Sequence, residues 1–123
     1  MSVTAVGASS IALSGMRDAQ LRIEVAAHNI ANLNTDGFAP SRVISSEAAG
    51  GGVRSTVQQL PAPAPGTPGG PPAPSATDLP TELVSMMTAE LAYVANALVL
   101  RTQAEMTGSL LDMLDTGVRH HHH

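Results

Sequence analysis

Between Pro61 and Pro80 the chain reads PAPAPGTPGGPPAPSATDLP, and this stretch constrains the fold more than any other feature. Proline fixes φ and lacks an N–H, so so dense a run holds neither helix nor sheet interior. Pro-rich segments extend as polyproline II, and glycine interrupts them. The stretch is expected to be a linker that divides the chain in two. A PxxP spacing from Pro65 to Pro68 is no sign of peptide recognition, because any Pro-dense run contains one.

About a hundred residues remain, enough for a single domain or less. A chain of that size buries a limited share of its surface, and oligomerisation is one remedy. With no Trp, one Tyr (Tyr93) and one Phe (Phe38), its core is aliphatic. Such a core suits close helix packing better than an aromatic-lined pocket.

Before the linker, a helix is predicted from Val3 to Leu33. Val6, Leu13, Gln20 and Ala27 recur every seven residues, as do Ser9, Met16, Ile23 and Ile30. Together they form a three-four seam for a second helix. Arg17, Asp18, Arg22 and Glu24 fall off it. The NLNTDGF run from Asn32 to Phe38 ends the helix, with Gly37 free to take positive φ and Phe38 anchoring the turn. SRVISS and VRSTVQ, on either side of EAAGGG, predict a short β-hairpin over 41–59.

After the linker, a helix is predicted from Leu79 to Thr116. Asp78 or Thr77 can cap it, Pro80 suits its first turn, and Glu82 complements its dipole. Leu83, Met86, Tyr93, Ala97, Leu100, Ala104, Leu111 and Leu114 keep three-four spacing, and Met87, Leu91, Val94 and Leu98 widen the stripe. That stripe exceeds what a shorter helix covers and implies further subunits. The expected organisation is a first helix and turn (1–36), a hairpin or loop (37–60), the linker (61–80), a second helix (81–117), and a tail with a probable purification tag (118–123). The fold class is mainly α: two long terminal helices packed as a coiled-coil hairpin, with the β-hairpin between. The connector permits either helix direction, and antiparallel is the expected one.

Several functions are disfavoured. A formal net charge of −4, no Lys and scattered Arg give no basic stripe for nucleic acid. No Cys means neither a disulfide framework nor a thiolate site. Outside the C-terminal His run, His28 has no second His or Cys with which to hold a metal. The carboxylates Glu82, Glu90, Glu105, Asp112 and Asp115 are read as solvated or subunit-bridging. Gly50 to Gly52 lack the Lys-Ser or Lys-Thr that a phosphate loop needs. The expectation is no catalysis, no cofactor and no small-molecule substrate. No apolar run is expected to reach membrane-spanning length, and the N-terminus lacks the basic start of a cleavable signal.

ALSGM (Ala12 to Met16) followed by AAHNIANLNTDGF (Ala26 to Phe38) resembles the N-terminal signature of flagellar basal-body rod and hook proteins. The matching residues are Asn29, Ile30, Ala31, Asn32, Thr35, Gly37 and Phe38. The segment from Asp78 to Leu114 resembles the family's C-terminal helix, through Glu82-Leu83-Val84, Met87, Ala89, Ala92-Tyr93, Ala95-Asn96, Thr102, Glu105-Met106 and Leu110-Leu111. The resemblance implies an axial protein of the periplasmic rod, exported by the flagellar type III apparatus without a cleaved signal. It would assemble with itself and other axial proteins through its terminal helices. In size the chain is nearest the small proximal-rod members, because it lacks the large β insertions of hook and distal-rod proteins. The packing and assembly positions so implied are Leu13, Met16, Ile23, Asn29, Ile30, Asn32, Thr35, Gly37, Phe38, Leu83, Met87, Tyr93, Asn96, Ala97, Leu100 and Leu111. Asn29, Asn32 and Asn96 are candidates for fixing register, with helix-end capping the alternative for Asn32. A helical adaptor that binds rod proteins without polymerising is the competing function.

Overall fold

The computed structural model describes the backbone of residues 5–121 and the side chains of residues 7–117. The element order is α1 (Ala5–Ala31), β1 (Ser41–Glu47), β2 (Val53–Gln59) and α2 (Leu79–His121). The fold is mainly helical: the two helices pack together and the strands form one antiparallel hairpin. Gly15 of α1 lies against Asn96 of α2, and Asn29 near the end of α1 bonds Thr77 just before α2. The helices are therefore antiparallel. Residues 1–4, and with them Val3, lie outside the described residues, as does the side chain of Val6.

On α1 the line of closest packing lies one residue before the expected Leu13, Gln20 and Ala27, while on α2 it runs beside the expected Met86, Ala97 and Leu100, which are half-buried. The buried line of α1 is Ala12, Ala19 and Ala26. The facing line of α2 is Glu82, Ala89, Asn96 and Gln103, also seven apart, the first two buried and the others half-buried. Small residues let the backbones approach, and larger ones are displaced to the flanks. Met16, Ile23 and Ile30 are half-buried there, while Leu13, Gln20 and Ala27 are exposed.

The hairpin lies along a second face of α1. Ser41 at its base meets Asn29, Ser45 and Ser55 meet Asp18, and Val53 near its tip meets Ser14. Strand register pairs Ser41 with Gln59 and Glu47 with Val53. Gly51 and Gly52, both at positive φ, bring the tip onto Ile11 and Ser14 so closely that a Cβ at either would collide.

Residues 60–78 hold no helix or strand, only a turn over Thr67 to Gly70. Their ends are tied to one corner. The Leu60 N–H donates to Pro40 O, the Gly37 N–H to Ala73 O at 2.7 Å, and the Ala76 N–H to Phe38 O.

At 43 residues against 27, α2 outruns α1 and continues past the expected end near Thr116. Beyond Gln103 every described side chain of α2 is exposed. Segment Leu79–Gly117 is long and apolar enough to cross a membrane by length and composition. This corrects the expectation that no apolar run reaches that length: the sparse charges of α2 leave a window whose mean hydropathy is 1.6.

Candidate assembly surface

The corner that follows α1 is built from short polar residues. Asn32 Nδ2 donates to His28 O and its Oδ1 accepts from Thr35 Oγ1, which closes the helix end. Asn32 is thus placed as a cap. Gly37 turns the chain with φ 72°, and Phe38 is half-buried with its ring edge-on to His28, centroids 5.7 Å apart. Thr35 and Gly37 are exposed.

Asn29 is the fully buried centre of this corner. Its side chain donates to Ser41 O and accepts from Ser41 N–H, both at 2.9 Å. Its backbone oxygen accepts from Thr77 Oγ1 at 3.0 Å. One residue thereby joins α1, β1 and the entry to α2. Thr77 is committed to that bond, so Asp78 takes the capping place. Its carbonyl accepts from the Glu82 N–H, and its carboxylate accepts from the Thr81 hydroxyl.

Glu82 is not the solvated carboxylate expected from its place in the first turn of α2. It is 1 % exposed, and its Oε1 accepts from Arg42 Nη1 of β1 at 2.8 Å. A carboxylate withdrawn from water needs such a partner. Beside this pair is a small groove of about 60 Å³, lined by Arg22, Val25, Val43 and Ser85 among others.

Asp18 also lies in a network rather than in open solvent. It accepts from the hydroxyls of Ser45 and Ser55 and from Arg22 Nε at 3.0 Å. Partial burial pushes its pKa up, but the two serines, Arg22 and the Arg22 charge outweigh this and hold it below the ordinary value. The network pins the hairpin to α1. Neither Asp18 nor Glu82 was recognisable as a partner in the sequence, because Ser45, Ser55 and Arg42 are remote along the chain. No group of acidic or His side chains fit to hold a metal occurs among the described residues.

The other predicted positions divide into two sets. Asn96, Ala97 and Leu100 are half-buried toward α1, and Asn96 Nδ2 also donates to Ala92 O. Leu83, Met87, Tyr93 and Leu111 are exposed, as are Val84, Leu91, Val94, Leu98, Met106, Leu110, Met113 and Leu114. The structure thus brings the signature corner together around Asn29 and leaves many apolar side chains of α2 uncovered, those from Leu83 to Leu98 on the side away from α1 and others beyond the reach of α1. Patches of that extent mark interaction surfaces.

Residues 10–38, from the second turn of α1 through the Phe38 corner, match the family model described as flagella basal body rod protein. No curated protein matches the chain. The matched segment, about a quarter of the chain, holds Ser14, Asp18, Arg22, Asn29 and Gly37, the residues that dock the hairpin and turn the chain, and over that segment the protein is similar to the flagellar basal body rod family.

Proposed function

We propose that the chain is a structural axial subunit of the rod that self-assembles through its terminal helices, above all through α2. The observation that carries this reading is the uncovered apolar surface of α2, made of an outward stripe from Leu83 to Leu98 and of the apolar residues from Met106 to Leu114 that lie past the reach of α1. Leaving that face in water is unfavourable, and neighbouring helices of the same kind cover it in kind. In that assembly Leu13, Leu83, Met87, Tyr93 and Leu111 are contact positions between subunits. The corner residues Asn29, Ile30, Asn32, Thr35, Gly37 and Phe38 hold the angle between helix and hairpin. Met16, Ile23, Asn96, Ala97 and Leu100 set the helix pair, which acts as a coiled-coil hairpin spanned by the Pro/Gly-rich linker of 61–80.

The chain reaches the periplasmic rod through the flagellar type III export apparatus without a cleaved signal, and its neighbours are other axial proteins as well as itself. It takes no cofactor or small substrate and binds no nucleic acid. A membrane crossing by α2 fits the helix by composition alone. It is disfavoured because Glu82 and Ala89 bind the first half of α2 to β1 and α1.

The adaptor reading differs from this one in a single respect, incorporation. Leu91→Asp combined with Leu98→Asp places charge on the exposed face without touching the Ala89 seam. The subunit reading predicts that this variant keeps its helix content and is lost from purified hook–basal-body particles. Incorporation at the unaltered level would count against it.

A further inference from the structure

β2 is the strand farther from α2. Arg42 of β1 reaches Glu82, and the groove lined by Val43 and Ser85 lies between β1 and α2. The outer edge of β2 is left unpaired in a sheet of two strands. It contains no proline or bulge, and Arg54 is its one charge. Unpaired edges of this kind are templates for another strand.

Val57 points to the same side of the sheet as Ser55, whose hydroxyl bonds Asp18 of α1. It faces the helix layer yet is 52 % exposed, because no further strand covers its outer side. By helical spacing, the α1 row on that side of the hairpin is Arg17, Leu21, Glu24 and His28. Leu21 is half-buried, and Arg17 and Glu24 are exposed with no ion pair or hydrogen bond among the described residues.

We infer that β2 pairs antiparallel with β2 of a second copy about a two-fold axis at Thr56, giving a four-stranded sheet over two α1 helices. Three features specify a copy of this chain. The register sets Arg54 opposite Gln58 and Ser55 opposite Val57, so no like charges meet. The two α1 helices come two strand spacings apart, roughly 9.5 Å, within the roughly 8–10 Å of packed helices. Because the hairpin lies nearly along α1, with Asp18 below Ser55 and Asn29 beside Ser41, Thr56 lies over the middle of the row. The two-fold therefore sets Arg17 of each copy against Glu24 of the other, with Leu21 and Val57 closed between them. Such an isologous contact is independent of the α2 face and of the rod assignment.

Sedimentation equilibrium of the full chain tests this. A monomer–dimer equilibrium is expected; Arg17→Glu and Glu24→Arg should each weaken the dimer about fivefold or more, and the two together should restore it to within about twofold. Because the chain has no cysteine, Thr56→Cys gives a single thiol that should oxidise to a linked dimer, whereas Arg54→Cys should not, since its partner position is Gln58. A chain that stays monomeric up to about 1 mM overturns the inference. So does a dimer indifferent to both single reversals, which would be held through α2, or linkage by Arg54→Cys as readily as by Thr56→Cys.

Discussion

Asn29 and Ser41 exchange two hydrogen bonds, side chain to backbone in both directions, with Asn29 fully buried and Ser41 half-buried. The pair does for the helix–strand corner what a ladder rung does for a sheet. Replacing Asn29 with Ala leaves the N–H and the C=O of half-buried Ser41 without their partner. A loss of about 2–4 kcal/mol is expected. Urea unfolding followed by circular dichroism measures it. A loss within about 0.5 kcal/mol would mean that water enters the corner freely.

The Arg42–Glu82 pair is asymmetric, with the carboxylate buried and the guanidinium side chain 36 % exposed. Arg42→Ala leaves a buried charge unmatched and should cost about 2–3 kcal/mol, discounted for the solvent that reaches Arg42. Arg42→Ala combined with Glu82→Gln removes the charge as well and should recover part of that loss. Equal stability of the single and double variants in thermal melts would show that the pair contributes little.

Stability should depend on Asp18 in acid. Its folded pKa is depressed, so its contribution is complete above the unfolded carboxylate value of about 3.9 and is lost as pH falls through the lower folded value. The chain should weaken on acidification through and below that range, and Asp18→Asn should flatten this part of the profile. Parallel profiles for the two proteins between about pH 5 and pH 2 would contradict the assignment.

Gly15 and Asn96 meet so closely that a Cβ on Gly15 would stand 2.7 Å from the Asn96 amide nitrogen. Alanine favours helix over glycine by about 1 kcal/mol, and here displacement of Asn96 offsets that gain. Gly15→Ala alone should therefore change stability by less than about 0.5 kcal/mol, whereas in an Asn96→Ala background it should stabilise by about 1 kcal/mol. Additivity of the two substitutions would show that Asn96 swings aside at no cost. Separately, if Asn96 fixes register, Asn96→Ala should lower assembly while helix content holds.

The elements themselves were legible in the sequence. Seven-residue recurrence marked the first helix and three-four spacing the second, the NLNTDGF run marked the end of α1, and GGG between alternating segments marked the hairpin turn. The packing line was not. A seam search weights Leu13, Met16 and Leu83, yet the line of closest approach runs through Ala12, Ala19, Ala26 and Ala89. Alanine carries little hydrophobic signal, and its merit here is that it takes up little space. The burial of Glu82 was equally hidden, since only the fold brings Arg42 beside it. Serines at 45 and 55 read as the polar side of an alternating hairpin until cross-strand register sets both over Asp18.

The most direct test of the axial-subunit account is quantitative mass spectrometry of purified hook–basal-body particles from the source organism. The account predicts this chain at an abundance comparable to known rod subunits and retained through particle purification. Its absence from the particles, with the protein left soluble in the cell, would contradict the account and favour an adaptor that binds rod proteins without joining them.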